Sequence, residues 1–216
     1  MKNIPVFTAS GGTATLILRE IPRCGRAYVV LQTHTTGMEQ EQIRDCTAFC
    51  RMAGAKEIYV SCADGTPLDL PFSHDMLLRT LPRTKLAKPE CSIFLEPLSD
   101  PNIYVSNYNN RFAPVLNAAL CDQRSLAQAA TEGTKHFLAR YNGTLIGLGA
   151  VRKNILECVA SLEPGWGYDL CCALFAETDG DHIELTVCSE NIPAMLLYDR
   201  LGFDRGSLIS RWYKVT

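Results

Sequence analysis

The sequence predicts an α/β protein built on a mixed, twisted sheet flanked by helices. Three observations predict it. β-rich runs are joined by tight-turn signals at Gly11-Gly12 and at Asn142-Gly143. Helical stretches stand between such runs, with glycine where a helix would stop. One order of elements (hairpin, strand, helix, strand) occurs twice.

The first hairpin is PVFTAS and TATLILREI, and RAYVVLQT over 26–33 follows as a buried strand. A helix is expected over 38–53, where Ile43, Cys46, Cys50 and Ala53 recur on one face before Gly54. KEIYVSC over 56–62 reads as a strand. Residues 63–90 carry loop signals, with one short helix expected at 73–81. The segment 82–90, PRTKLAKPE, has two prolines and four charges, three of them basic, with little periodicity. It is the expected boundary between a first domain, 1–90, and a second, 91–216.

The second half opens with CSIFLEPL as a strand, then helix-like stretches over 103–120 and 122–131. KHFLARY and TLIGLGAV form a hairpin through Asn142-Gly143, and ILECVASL follows as a strand. A helix over 167–176, the strand HIELTVC, a helix over 192–201 ending at Gly202, and the strand SRWYKV complete the chain. Phe7 corresponds to Phe137 and Cys62 to Cys188 or its neighbour, a period near 126–130 residues. This is a weak duplication or a chance likeness of α/β patterns.

Composition bounds the function. The 216 residues are 47% hydrophobic and 20% charged, enough for a proper core and unlike a disordered chain. A net charge of −2 offers no global basic field for nucleic acid or anionic lipid. The expected partner is a small molecule or another protein, and a homodimer is allowed. No apolar run reaches the length of a membrane span and the N-terminus lacks a signal region, so the expected compartment is the cytoplasm. The ten cysteines include no CxxC pair and no Cys/His cluster with zinc spacing. They read as reduced, buried thiols, and no metal is expected.

Two segments carry chemistry. Gly165-Trp166-Gly167 precedes an apolar helix, and such a turn offers free backbone amides and the positive end of a helix dipole to a phosphate. Asn191-Ile-Pro-Ala194-Met-Leu-Leu197-Tyr198-Asp-Arg-Leu-Gly202-Phe203 fits N-x-x-A-x-x-L-Y-x-x-x-G-F, with Asn191 a good helix cap before Pro193. Together, with one strand between them, these segments resemble the GNAT superfamily of N-acetyltransferases over residues 91–216.

The resemblance implies a GNAT-like acyltransferase fold, in tandem if the halves are related, that moves an acetyl group from acetyl-CoA to an amine. Tyr198 would be the general acid; a phenol stays protonated at neutral pH and can donate to a leaving thiolate. Glu157 would be the general base, directly or through water. The backbone of Val159, Ala160 and Ser161 would meet the pantetheine arm, as would Asn191. The amides of Gly165, Trp166, Gly167 and Tyr168 would hold the pyrophosphate. Strand alternation puts Glu157, Val159 and Ser161 on one face. The acceptor, a small-molecule or peptide amine, would lie over the helices before the hairpin, where Tyr108, Asn109 and Arg111 are the polar candidates.

There is one departure from the family's pattern. Leu162 stands where Arg or Gln is usual, and the loop is short; Arg152 and Lys153 are the nearby cations in sequence. The N-terminal half has no GxG before its helix and no N-x-x-A-x-x-L-Y segment, so it is expected to bind no cofactor of its own. Two other readings stay open: an inactive acyl-CoA sensor of the same fold, and an unrelated α/β structural protein.

Overall fold

The computed structural model describes residues 6–9, 11–86 and 88–215. In chain order the first elements are β1 (Val6–Ala9), β2 (Gly12–Ile17), α1 (Ile21–Cys24), β3 (Arg26–His34), α2 (Glu39–Met52), β4 (Glu57–Cys62) and β5 (Phe72–Pro82). Then come β6 (Phe94–Pro97), α3 (Pro101–Phe112), α4 (Gln123–Thr131), β7 (Lys135–Tyr141), β8 (Thr144–Arg152) and β9 (Ile155–Ser161). The last are α5 (Gly167–Ala176), β10 (His182–Cys188), α6 (Ile192–Leu201) and β11 (Ser207–Val215). The chain divides into two compact units: Met1–Met76 with Cys188–Glu190 and Leu208–Thr216, and Leu77–Val187 with Asn191–Ser207.

The first unit has the strand order β1-β2-β3-β4-β11. β1–β2 and β2–β3 are antiparallel; β3–β4 is parallel, which requires a crossover, and α2 supplies it. The helix buries Ile43, Cys46 and Cys50 against Ala14, Leu16, Val29, Leu31, Ile58 and Val60. Ala53, expected on the same face, is the exposed C-cap.

The second unit has the order β5-β10-β9-β8-β7-β6 and repeats the same pairing senses. β7–β8 and β8–β9 are antiparallel, and β9–β10 is parallel across α5. The repeated order of elements is thus a repeated topology. α5 lies close on β8 because β8 presents glycines. A Cβ on Gly147 would sit 2.6 Å from Leu170 Cδ2, and one on Gly149 would overlap the Leu174 side chain. The opposite face of the sheet carries α3 and α4, which bury Tyr104 and Leu126 with Leu138, Leu148 and Ala160.

Two sequence expectations are corrected. Residues 73–81 belong to strand β5, not to a helix. Their pattern hides a strand because a charged residue, Arg79, is buried where an apolar one would complete the alternation. The helix expected over 103–120 stops at Phe112 with Ala113 as its C-cap: Pro114, next in the chain, has no N–H to carry the ladder on, and Asn117 is left-handed at φ 58°. The segment after β5 is fastened into the second unit: Arg83 donates to the Thr178 and Gly180 carbonyls beyond α5 at 2.7 Å each, and Asp169 accepts from the Glu90 and Cys91 amides. None of the ten cysteines is in a disulfide, and six of them are buried. Among the described residues no helix is long and apolar enough to cross a membrane.

Candidate active site

β9 and β10 are parallel neighbours, yet their register contains one pair, Glu184 with Ile155, beside the Glu184 amide donating to Asn154 O at 2.9 Å. Beyond it the described residues form no further pair, so the strands part along Val159–Ser161. β3 and β4, their counterparts in the first unit, pair at six positions from Arg26/Glu57 to Leu31/Cys62. One unit therefore has a closed seam and the other an open slot. Backbone donors and acceptors that a sheet would consume are left for an extended ligand there.

The slot opens toward the glycine turn. Gly165 has φ +93°, a conformation glycine adopts without strain, and a Cβ there would meet nothing within 4 Å. Gly167 opens α5 and lets α6 approach: a Cβ on it would lie 3.2 Å from Leu197 Cδ2. The cap residue Trp166 makes no side-chain hydrogen bond to the first-turn amides, and its ring packs on Tyr141 at 4.5 Å. These amides and the dipole they terminate are suited to an anion.

Nearby cations differ from those the sequence suggested. Arg152 pairs with Glu157 at 2.6 Å and Lys153 lies in the β8–β9 turn, both about 20 Å of strand away from the glycine turn. Arg111, expected to meet an acceptor carboxylate, instead donates from α3 to the Leu162 carbonyl at the start of the glycine turn. Arg200 lies over the Tyr168 ring at 4.4 Å and pairs with Glu90 at 3.1 Å. Two guanidinium groups, from α3 and α6, thus stand beside the loop that Leu162 leaves without a cation of its own.

Tyr198 lies on α6, 7% exposed, in van der Waals company with Phe203 at 5.5 Å between centroids. Burial raises its phenol well above the ordinary value, with the Cys171 and Cys158 thiols adding. Its hydroxyl donates to no protein group among the described residues. Asn191 caps α6 by accepting from the Ala194 amide at 3.4 Å.

Glu157 is placed by an irregularity. Ala150 pairs with Cys158 and Val151 with Leu156, which leaves Glu157 as the extra residue of a β-bulge. The alternation expected for Glu157, Val159 and Ser161 breaks at that point; Leu156 and Val159 both pack toward α5, while Cys158 and Ala160 pack toward α3. Half-buried His136 on β7 is the neighbour that sequence reading left aside. Burial lowers its pKa, opposed by the charge of Glu157, so its imidazole is neutral near pH 7 and able to take a proton.

Two of the acceptor candidates build a wall. Tyr108 donates to Ala119 O at 3.1 Å, and Asn109 exchanges two 2.9 Å hydrogen bonds with the Cys121 backbone. The residue most thoroughly missed is Arg79. It is 1% exposed, and its guanidinium donates to the Asp204, Phe203 and Met195 carbonyls and to Asp199 at 2.7 Å, holding the end of α6 that carries Tyr198. Only its sequence neighbours on β5 are local; every partner lies more than a hundred residues away, which no periodicity can signal.

No known protein-family profile matches the chain, and no curated protein matches it. Solved structures do. A GCN5-related N-acetyltransferase from Sphaerobacter thermophilus superposes with a TM-score of 0.62 at 15% identity, over 94% of this chain and 76% of that one. A functionally unknown conserved protein from Staphylococcus epidermidis ATCC 12228 gives 0.61 at 12% identity, over 99% and 94%. A tandem GNAT protein of the clavulanic acid biosynthesis pathway gives 0.53 at 15% identity, over 94% and 78%. With the topology repeated in two units and the slot between β9 and β10, the conclusion on fold is plain: the chain is a GNAT-fold protein.

Proposed function

We propose that this protein transfers an acetyl group from acetyl-CoA to a primary amine of a small-molecule or peptide acceptor, using residues 91–216. The observation that carries the reading is the contrast between the open β9/β10 slot and the closed β3/β4 seam of one chain. The backbone of Val159, Ala160 and Ser161 would hold the pantetheine arm, with Asn191 beside it. The amides of Gly165 to Tyr168 would hold the pyrophosphate, and Arg111 is better placed for a phosphate than for an acceptor carboxylate. Bound acetyl-CoA supplies an activated acyl group. Glu157 takes the amine's proton, directly or through water, and Tyr198 Oη gives its proton to the departing sulfur. No metal enters this transfer.

One observation favours a second reading, an acyl-CoA sensor. Glu157 is already ion-paired with Arg152, so the base must be released before it acts. Release of free thiol from acetyl-CoA with a panel of amines separates the two. Amine-dependent release supports the enzyme; tight binding without release supports the sensor.

The glycine turn gives a direct check on where the cofactor lies. Gly165→Val adds a Cβ that meets nothing within 4 Å but forces a left-handed backbone on a β-branched residue, at about 1–3 kcal/mol. Acetyl-CoA affinity is expected to fall by about tenfold or more, measured by calorimetry, with circular dichroism unchanged. Unchanged affinity in a folded variant would place the phosphates elsewhere.

A further inference from the structure

In the first unit, the place that corresponds to the cofactor slot is not empty of chemistry. His34 ends β3, Cys62 ends β4, Asp64 follows it and Glu39 opens α2. The His34, Cys62 and Asp64 ligand atoms all lie within 4.8 Å of one another. His34 Nε2 is 3.9 Å from Asp64 Oδ2 and 3.9 Å from Glu39 Oε1. The second oxygen of each carboxylate is already held by a backbone amide: Asp64 Oδ1 by Thr66 at 3.0 Å, Glu39 Oε2 by Gly37 at 2.8 Å. The free oxygens therefore converge on one imidazole, beside a thiol that is buried and in no disulfide.

Two carboxylates and a thiol have been brought together without a balancing side-chain cation. Among the described residues neither Glu39 nor Asp64 meets Lys or Arg within ion-pair distance. The Asp64 side chain is 57% exposed, which leaves the cluster open to an entering cation. The mixture of sulfur, nitrogen and oxygen donors selects a borderline-soft ion of tetrahedral preference over calcium or magnesium. Tetrahedral bonds of about 2.0–2.3 Å set donor–donor separations near 3.3–3.8 Å, so His34, Cys62 and Asp64 need shifts of only tenths of an ångström to about 1 Å to close around an ion, with Glu39 reaching in from beside His34. The backbone amides on the far carboxylate oxygens are the outer-shell support that such ligands use.

We propose that His34, Cys62, Asp64 and Glu39 form a zinc-class site that staples the ends of β3 and β4 to the head of α2. Binding forms a metal–sulfur bond and releases the thiol proton to solvent, with no change of oxidation state. The metal replaces, in the first unit, the cofactor that its closed seam excludes, and the proposal does not depend on acetyl transfer by the second.

Cobalt(II) tests it on the full chain after treatment with a chelator. One equivalent is expected to produce a thiolate-to-cobalt absorption in the near ultraviolet and visible bands of tetrahedral intensity, both lost on adding zinc(II). Cys62→Ser and His34→Ala should each abolish the bands. Asp64→Asn changes an exposed loop residue, so the fold should persist while cobalt affinity falls about tenfold or more. Absence of the bands in the native chain would overturn the proposal. Bands that survive Cys62→Ser would do so too, since they would belong to another of the ten thiols. Should Cys62→Ser fail to fold, unchanged cobalt affinity in Asp64→Asn decides against the site.

Discussion

Tyr198→Phe is expected to lower kcat by about 10²–10⁴-fold while acetyl-CoA affinity changes little. The substitution removes one oxygen that bonds to no described protein group, and it keeps the ring that packs on Phe203. The fold should therefore survive, and the loss should appear in turnover alone. Burial holds the phenol protonated beyond its ordinary range, so wild-type kcat should show no loss from Tyr198 ionisation below about pH 10. A folded variant with near wild-type turnover, in an assay limited by chemistry, would make Tyr198 a core residue. Another donor would then have to protonate the leaving sulfur.

Arg79→Met is expected to destabilise the second unit strongly. Methionine can fill the channel of the arginine stem but returns none of its hydrogen bonds. The Asp199 partner is 61% exposed, so that ion pair alone contributes little. The carbonyls of Phe203, which is buried, and of Met195 and Asp204, which are part-buried, matter more, because a buried acceptor left unpaired costs about 1–3 kcal/mol. A loss of about 3 kcal/mol or more should lower Tm by about 6–12 °C for a chain of this size. Asp199 adjoins Tyr198 on α6, so kcat should fall together with stability. A shift below about 1 kcal/mol would mean that water replaces the guanidinium at these carbonyls.

The elements with their own terminal chemistry were legible from sequence. α6 begins after the Asn191 cap with Pro193 in its first turn and ends on left-handed Gly202, and its limits match the expected 192–201. α5 and β10 likewise match the expected 167–176 and 182–188. What stayed hidden depends on distant partners. β5 was illegible because Arg79 occupies an interior position that only α6 and the turn after it satisfy. The bulge at Glu157 arises from strand register, and nothing in ILECVASL marks it; the parting of β9 from β10 was implied by the family resemblance and not by the residues themselves. Arg111 reached the glycine turn across 51 residues, where sequence proximity had favoured Arg152. His34 and Cys62 meet through parallel strand ends, a spacing that no short metal motif contains.

The measurement closest to the central claim is titration of the full chain with acetyl-CoA by calorimetry. An open slot in one unit and a closed seam in the other predict one molecule bound per chain, with the Gly165→Val variant weakened. Two molecules per chain would contradict the exclusion of cofactor from the first unit. No binding at all would leave the GNAT fold standing and remove acetyl transfer as its function.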